Sequence, residues 1–298
     1  MSGGDCHERR VVMGTGQEKP HEAIPISPAT GAEPLAPEYV AARRVLLDAL
    51  EALAPHSAGL ILVGAQAIYL HTGAGQLAIV EYTTDADLVV APDLIADSPL
   101  VEALLTGAGF FRDVDPGRWI SPGGVYVDLL VPESLAGPGR RGADLGPHGR
   151  HAARRARGLE AALVENAPMT ITALDPADVR STIIRVAGQA SLVVAKTIKI
   201  AERLTEPGRE RDKDALDVVR LLRGTPTSTL ADGVAMLSAD DRSALITAEA
   251  LEEFERLFAQ PDSPGTLMAV EAARPLEDAD VLAASTSVLA IDLLDHTT

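Results

Sequence analysis

Two aspartates separated by a single residue, Asp85 and Asp87, have the spacing in this sequence that is best suited to binding a metal ion. They open an apolar stretch that predicts a strand, and residues two apart in a strand point to the same face. Two adjacent carboxylates repel each other unless a cation lies between them, and Mg²⁺ is commonly held by one or two carboxylates together with substrate phosphates. The pair therefore indicates a Mg²⁺ site. On spacing alone, a turn-capping Asp beside a solvated Asp explains the pair equally well.

A third carboxylate, Asp128, lies inside the apolar segment VYVDLLVP. An acid in the middle of such a strand is costly to bury unless it is paired or bound to a cation. Asp128 is therefore the natural partner of Asp85 and Asp87 in a metal site. The alternative is a side chain that points to solvent from an edge strand.

Charged residues also follow a helical spacing further along the chain. Three cations share one face of the helix predicted for residues 189–204, and these are Lys196, Lys199 and Arg203. A second predicted helix, DKDALDVVRLLRG, carries Asp214 and Asp217 three residues apart, where they can meet the basic face. The simpler interpretation is an interhelical salt bridge, which contributes little to stability at a protein surface.

Apolar periodicity predicts the elements that position these residues. Pro37 to Leu53 has helical spacing, GLILV is typical of a buried strand, and AQAIYLHTG predicts a short helix closed by Gly73. A helix is expected over Asp97–Ala108 with Gly109 as its C-terminal cap. The turn Pro122-Gly123-Gly124 predicts a hairpin. The remaining strand-like segments are FFRDV, RWISP, LEAALVEN, PMTITAL and RSTIIRVAG.

These elements predict a mixed α+β protein with two domains after a disordered leader. The leader covers residues 1–36, the α+β core covers 37–188, and a helical domain covers 189–298. Residues from Thr225 onward are helical by period and contain no recognisable motif. At 298 residues the chain is long enough to bury a sizeable core.

Composition excludes several classes of protein. No apolar run approaches the roughly 18 residues of a membrane span, and the N-terminal stretch has no apolar core typical of a signal peptide. We therefore expect a cytoplasmic protein without a membrane partner. Cys6 is the single cysteine, so a disulfide framework or a cysteine-rich zinc site is excluded. His148 and His151 lie in a Gly/Arg-rich loop and are expected to be solvated.

The formal charge of −17 argues against general affinity for nucleic acid. Positive charge is nevertheless concentrated within residues 133–158, a segment that holds Arg140, Arg141, Arg150, Arg154, Arg155 and Arg157. Such a local basic patch can steer a polyanion even on an acidic protein. A solvated, flexible loop is the alternative interpretation.

The order of these motifs resembles the DNA polymerase beta-like nucleotidyltransferase superfamily. Its signature is a Gly-Gly or Gly-Ser turn, then a D-x-D, then a third acid on a nearby strand, and the corresponding residues here are Gly64-Ala65, Asp85 with Asp87, and Asp128. More narrowly, VGAQAIYLH, TTDADLVV, AKTIKIAERL and RERDKDALDVVRLL resemble the nucleotidyltransferase-type toxins of abortive-infection and toxin-antitoxin systems. The resemblance covers roughly residues 59 to 224.

This resemblance implies a role for each matching residue. Asp85, Asp87 and Asp128 would hold Mg²⁺, and the backbone N–H groups of Gly64 and Ala65 would bind phosphate oxygens at a helix N-terminus. The helical lysine of the family corresponds to Lys196, with Lys199 as the alternative, and its later aspartate to Asp217 or Asp214. Lys196 would contact a phosphate, and Asp217 would hold that lysine or touch the nucleotide. Thr83 matches the threonine that precedes the D-x-D in the family pattern, and the resemblance implies that it would join the nucleotide site.

The resemblance implies an enzyme that transfers a nucleoside monophosphate from an NTP to an acceptor, which is expected to be tRNA, and that acts as a toxin with a possible cognate antitoxin. Two departures from the family pattern concern the triphosphate, because Ala65 replaces a Gly or Ser and Glu81 replaces an Arg. Two alternatives therefore stand beside the main hypothesis. One is transfer to a small hydroxyl compound of aminoglycoside type, and the other is a catalytically silent relative that binds nucleotide or a partner protein.

Overall fold

A computed structural model describes Met1 and residues 35–73, 83–205 and 212–297. Leu35–Thr298 forms one compact unit. The predicted leader, apart from Met1, Leu35 and Ala36, lies outside the described residues, as do Cys6 and Glu81. The boundary predicted between residues 188 and 189 stays a prediction.

The described residues form eight strands and nine helices around one mixed sheet. The strands are β1 (Leu60–Val63), β2 (Asp85–Val90), β3 (Phe111–Arg112), β4 (Arg118–Ile120), β5 (Tyr126–Pro132), β6 (Arg154–Ala156), β7 (Asn166–Thr172) and β8 (Ser181–Ala187). The helices are α1 (Pro37–Ala52), α2 (Gly64–Thr72), α3 (Val101–Gly107), α4 (Gln189–Leu204), α5 (Asp212–Gly224), α6 (Thr227–Ala239), α7 (Ala244–Phe258), α8 (Pro264–Ala273) and α9 (Ala279–Thr297).

The sheet has the strand order β3-β4-β5-β2-β1-β8-β7, and β6 also pairs with β5. Strand β1 is antiparallel to β2 and parallel to β8, whereas β2 is parallel to β5. The combination of parallel and antiparallel pairs with many helices confirms the predicted mixed α+β class. Strand β5 is therefore central, and it contacts β4 along its first half and β6 along its second half.

The hydrophobic core follows from strands that are apolar on both faces. All four residues of β1 are buried, and so are the last six residues of β5. Such continuous burial is expected where helices cover both faces of a sheet. The same core includes apolar residues from α5 and from the C-terminal helices, so the sheet and the helical half bury surface against each other.

Most predicted elements are confirmed, including α1, β1, α2, the β4–β5 hairpin, α4, α5 and the C-terminal helices. Gly109 is the C-terminal cap that the sequence predicts, and it adopts a φ of 86°. Its N–H donates to the carbonyl oxygen of Thr106, and the N–H of Phe110 donates to the carbonyl oxygen of Leu105. These two bonds form a Schellman motif.

Three predictions about local structure are wrong. Helix α3 begins at Val101 rather than Asp97, because Pro99 disfavours helical backbone at the residue before it. The segment LEAALVEN forms a 3₁₀ turn at Ala161–Leu163 rather than a strand. His148 is buried rather than solvated: the backbone N–H of Val101 donates to its Nδ1, and its Nε2 is 2.9 Å from the carbonyl oxygen of Ala96.

The Gly/Arg-rich segment also differs from the predicted flexible loop, because it contributes β6 to the sheet. Gly117 makes this junction possible. At its φ of 75°, a Cβ on this residue would lie 2.3 Å from the backbone nitrogen of Arg154. Only glycine fits here, where the pairing of β5 changes from β4 to β6. No helix in the described ranges is long and apolar enough to cross a membrane.

Candidate active site

The sheet brings the three predicted carboxylates to one region. In the pairing of β2 with β5, Asp87 lies directly opposite Asp128, and Asp85 lies opposite Tyr126. Because residues two apart share a face of a strand, Asp85 and Asp87 lie on the same face of the sheet. Asp128 is 3% exposed. The alternative of a solvated Asp128 on an edge strand is therefore wrong, since β5 lies between β2 and the strands β4 and β6.

The turn at Gly64 reaches the same carboxylates because β1 is antiparallel to β2. Val63 pairs with Asp87, so the next residue, Gly64, begins α2 beside that aspartate. Gly64 has a φ of 71°, and a Cβ at this position would lie 2.2 Å from Asp87 Oδ2. Both the backbone conformation and the close approach require glycine here. The N-terminus of α2 thus adjoins the D-x-D, as the motif order predicts.

Asp87 is electrostatically uncompensated. Burial and the neighbouring Asp85 raise the pKa of its carboxyl to about 7, and Asp128 adds to this effect. The charges of Lys199 and Arg154 oppose it without cancelling it. A cation placed among these carboxylates would remove the repulsion, because an added positive charge favours the ionised form.

Asp85 is oriented by its own strand and by the protein core. The fully buried Thr83 donates a 2.8 Å hydrogen bond from its hydroxyl to Asp85 Oδ1. The side-chain amide of Gln66 donates to the backbone carbonyl of Asp85 at 3.0 Å, and the buried Arg43 donates to Gln66 Oε1. Thr83, predicted to join the nucleotide site, therefore contacts the carboxylate that would hold the metal.

Asp128 is bonded to two arginines. Arg118 donates from Nε to Oδ1 at 3.0 Å and from Nη2 to Oδ2 at 3.2 Å, and Arg154 donates from Nη2 to Oδ2 at 2.7 Å. Burial by itself raises the pKa of Asp128, but the bonds from Arg118 and the charge of Arg154 hold it below its usual range. Asp128 is therefore ionised and compensated, unlike Asp87.

The helical charges form a buried ion network. Lys196 Nζ lies 2.6 Å from Asp214 Oδ1 and 2.7 Å from Asp217 Oδ2, while Arg203 also pairs with Asp214. Lys199 Nζ lies 3.2 Å from Asp214 Oδ1. The predicted meeting of the two helix faces is confirmed, and the surface location assumed for the simple salt bridge is wrong, because Asp217 is 1% exposed.

The two candidate lysines differ in where they lie. Burial lowers and the two aspartates raise the pKa of Lys196, and the net effect is a strong increase, so its ammonium stays charged beneath the surface. The side chain of Lys199 is 41% exposed and lines a cleft beside Asp87. Burial and the Lys196 charge lower its pKa. The structure thus brings Lys199, rather than Lys196, to the wall of the cleft.

That cleft has a volume of about 620 Å³ and is lined by charged side chains of both signs. Its walls carry five carboxylates, which belong to Asp85, Asp87, Asp128, Glu133 and Glu202. They also carry the cationic side chains of Arg118, Arg140, Arg154, Arg155, Arg157, Lys199 and Arg203. The cleft therefore suits a ligand with several negative charges that is accompanied by a cation. The volume is within the range that small-molecule sites occupy.

The donor set fits a two-carboxylate Mg²⁺ site. Among the described residues, no group of three or more His, Cys, Asp or Glu side chains is spaced to hold a metal ion. Asp85 and Asp87 nevertheless supply two hard oxygen donors, which is the number that Mg²⁺ commonly takes from protein when phosphates complete its shell. The oxygens of Asp128 are engaged by Arg118 and Arg154. The three-carboxylate set stays a prediction.

Sequence analysis missed Arg118 and Lys213. The hairpin turn centred on Gly123 sets a register in which Arg118 pairs with Asp128, so this contact was predictable from the turn. Burial lowers the pKa of Lys213, and the nearby Asp217 and Asp85 oppose this change, which indicates that its charge lies near the D-x-D. Its position four residues before Asp217 on α5 was the available signal.

Comparisons with known proteins give one distant similarity. No protein-family model matches the chain, and no curated protein matches it. The chain is similar to the crystal structure of an antigenic nucleotidyltransferase-like protein from Paracoccidioides brasiliensis, at 16% sequence identity and a TM-score of 0.40, over 80% of this chain and 95% of that chain. The site's own geometry, rather than this distant likeness, carries the functional proposal.

Proposed function

We propose that this protein is a Mg²⁺-dependent nucleotidyltransferase of the DNA polymerase beta-like superfamily, which moves a nucleoside monophosphate from an NTP to an acceptor. The observation that carries the proposal is the placement of Asp85 and Asp87, next to the turn at Gly64, in a cleft that is also lined by seven cationic side chains. A nucleoside triphosphate with its divalent cation matches both kinds of charge, because the cation would meet the carboxylates of Asp85 and Asp87 and the phosphates would meet the guanidinium and ammonium groups.

In this reaction the acceptor hydroxyl attacks the α-phosphate and pyrophosphate leaves. Bound Mg²⁺ would neutralise the negative charge that develops on the phosphate oxygens. Asp85, held by Thr83, and Asp87 would bind the cation, and the first backbone N–H groups of α2 would donate to phosphate oxygens. Lys199, which lines the cleft beside Asp87, would contact the triphosphate. Most of the catalysis would come from positioning and charge stabilisation.

The acceptor that we propose is tRNA, with a toxic outcome in the cell and a possible protein antitoxin. The resemblance of the motif set to nucleotidyltransferase-type toxins supports this assignment. The cationic residues Arg140, Arg155 and Arg157 on the cleft wall also support it, because an RNA backbone needs positive charge along its path. A small cationic hydroxyl compound is the competing acceptor, and the chain's net charge of −17 favours that class.

Incubation of the purified protein with each labelled NTP, Mg²⁺ and total RNA tests the proposal. We expect label to enter RNA with at least one NTP, and Asp85→Ala to abolish the transfer. Asp93→Asn is the matched control, because Asp93 is an exposed aspartate just beyond β2 and its loss should leave transfer unchanged. Label in a low-molecular-weight acceptor instead would identify the competing class. Absence of transfer to any acceptor, or transfer unaffected by Asp85→Ala, would contradict the proposal.

A second candidate is a catalytically silent nucleotide-binding protein. The contact that favours it is the double ion pair of Asp128 with Arg118 and Arg154, which occupies a carboxylate that the family resemblance assigns to metal binding. Calorimetric titration with Mg²⁺·NTP separates the two candidates. Binding without any product would favour the silent protein, whereas binding with pyrophosphate release would favour the enzyme.

A further inference from the structure

We propose that Arg118 and Arg154 form a phosphate-binding pair, and that Asp128 is the positioning residue for this pair rather than a metal ligand. The inference rests on the proposed function, because it assigns the part of the same cleft that would take the nucleotide's phosphates. It departs from the sequence-based role of Asp128.

The contacts of Asp128 support the positioning role. Arg118 uses two nitrogens, Nε and Nη2, on the two carboxylate oxygens, and Arg154 bonds to Oδ2. A bidentate guanidinium–carboxylate pair has fixed geometry as well as a strong attraction. Asp128 itself is almost inaccessible, with 4% of its side chain exposed, so a ligand in the cleft meets the arginines more readily than the carboxylate.

Exposure and origin of the two arginines support phosphate binding. About a third of each side chain is exposed, 35% for Arg118 and 34% for Arg154, and both line the cleft. They come from different strands, β4 and β6, on the same side of β5. The Arg118 guanidinium also lies 5.0 Å from the centre of the Tyr126 ring, which restricts it further. A pre-arranged guanidinium pair loses little side-chain freedom when it binds an anion.

Charge balance explains why two arginines accompany one carboxylate. Arg118, Arg154 and Asp128 together carry one net positive charge, whereas Asp85 and Asp87 together carry up to two negative charges. The carboxylate pair would therefore attract a divalent cation, and the arginine pair would attract an anionic phosphate. A metal ligand role for Asp128 would require both arginines to release it.

Inorganic tripolyphosphate is the probe for the phosphate site because it does not depend on base identity, and Mn²⁺ alone is the probe for the metal site. Calorimetry measures the first affinity with Mg²⁺ present, and electron paramagnetic resonance measures the second. We expect R118Q and R154Q each to weaken tripolyphosphate binding about tenfold, the cost of a charged hydrogen bond. Both variants should leave Mn²⁺ affinity within about threefold of the original, because neither arginine contacts the metal donors.

The decisive variant is D128N. If Asp128 is a positioning residue, D128N should weaken tripolyphosphate binding while its Mn²⁺ affinity stays within about threefold of that of the original protein. D87N should weaken Mn²⁺ binding more than tenfold. The matched control is R112Q, which removes an arginine of the neighbouring strand β3 that is 45% exposed and paired with Glu102 of α3. It should change neither affinity. Circular dichroism and the thermal midpoint establish that each variant is folded. R118K replaces R118Q if R118Q fails to fold, and D128E replaces D128N if D128N fails to fold, with weaker tripolyphosphate binding expected from each.

Two results would overturn the inference while leaving the proposed function intact. One is a loss of Mn²⁺ affinity in D128N as large as that in D87N, which would identify Asp128 as a metal ligand. The other is unchanged tripolyphosphate binding in R118Q, R118K and R154Q by a protein that still transfers nucleotides. If the unmodified protein binds neither NTP nor tripolyphosphate, the proposed function fails together with the inference.

Discussion

Two pairs of aspartates lie near the same cleft, and their electrostatic environments are opposite. Asp85 and Asp87 are two residues apart on a strand, and burial together with repulsion from Asp85 raises the pKa of the half-buried Asp87 to about 7. Asp214 and Asp217 are three residues apart on a helix, and Lys196 lies within 2.7 Å of both. The first pair lacks the compensation that the second pair receives from within the protein. This contrast supports the proposal that the first pair binds a ligand and the second forms a structural ion network.

The largest expected effect is on activity at the uncompensated pair. Asp87→Asn should lower nucleotidyl transfer about a thousandfold, since cation-mediated charge stabilisation contributes several kcal/mol to such reactions. The same substitution should raise the free energy of unfolding at pH 8 by up to about 4 kcal/mol, because it removes a charge that burial and Asp85 disfavour in the folded state. Transfer assays and chemical denaturation measure the two effects.

The stabilising effect of Asp87→Asn should depend on pH in a defined direction. A carboxyl with a raised pKa destabilises the fold fully above about pH 7 and not at all below the unfolded value near 4. The gain in stability should therefore shrink as the pH falls from 8 to 4. A gain that is constant over this range, or lost activity in the Asp93→Asn control, would contradict the assignment of repulsion to the pair.

The compensated pair should respond to loss of its cation in the opposite way. Lys196→Met should destabilise the protein by about 3 to 5 kcal/mol, because it removes the ammonium that lies between two buried carboxylates. Denaturant unfolding measures this effect. Removing Asp217 as well, in Lys196→Met with Asp217→Leu, should recover part of the loss. If Lys196→Met keeps full stability but loses transfer, Lys196 contacts the nucleotide as the family resemblance implies.

Acid should weaken the same network. Burial raises the pKa of Asp214, but the charges of Lys196 and Lys199 lower it by more. The pKa therefore lies well below its usual range. A depressed carboxyl pKa contributes stability above the unfolded value near 4 and loses it as the pH falls further. The two aspartate pairs thus make contributions of opposite sign to the pH dependence of stability.

A smaller effect is expected at the glycine that adjoins the uncompensated pair. Gly64→Ala places a Cβ 2.2 Å from Asp87 Oδ2 at a φ of 71°, so it should both destabilise the fold by about 2 kcal/mol and weaken Mn²⁺ binding. Gly124→Ala is the control, because it has a φ of 79° with open space around its Cβ. It should lose stability while keeping Mn²⁺ affinity. Equal Mn²⁺ affinities in the two variants would exclude the contact with Asp87.

The smallest expected effect concerns the orientation of Asp85. Thr83→Val removes the 2.8 Å hydrogen bond to Asp85 Oδ1 and should weaken Mn²⁺ binding by about 1 kcal/mol, or about fivefold. Thr197→Val is the matched control, because the buried Thr197 hydroxyl has no hydrogen-bond partner among the described residues. That control should be neutral or slightly stabilising. A Thr83→Val variant with unchanged Mn²⁺ affinity would show that Asp85 needs no orienting bond.

Much of the fold follows from local patterns that the sequence displays openly. The buried strand before Gly64, the D-x-D strand and the two charged helices are confirmed because each is a continuous run with one clear period. Helix α3 was misjudged at its start, where Pro99 overrides helical spacing. Strand β6 was missed because three residues, Arg154–Ala156, are too few to show an alternation.

The partners of the charged residues were harder to predict than the elements. The helical spacing of Lys196, Asp214 and Asp217 indicated that they could meet, but spacing along a helix carries no information about burial. Whether these residues form a weak surface bridge or a buried network depends on what packs over them, and here Lys196, Asp214 and Asp217 are all buried.

By itself, the sequence determined the carboxylate motif, the order of its elements and the mixed α+β class, because these depend on residue types and on periods of two or 3.6 residues. Only the tertiary structure decided which charges compensate which. The pairing of β2 with β5 places Asp87 opposite Asp128. The packing of β4 and β6 against β5 brings Arg118 and Arg154 into hydrogen-bond contact with Asp128. Electrostatic energy depends on distance and burial in space, and distance along the chain specifies neither.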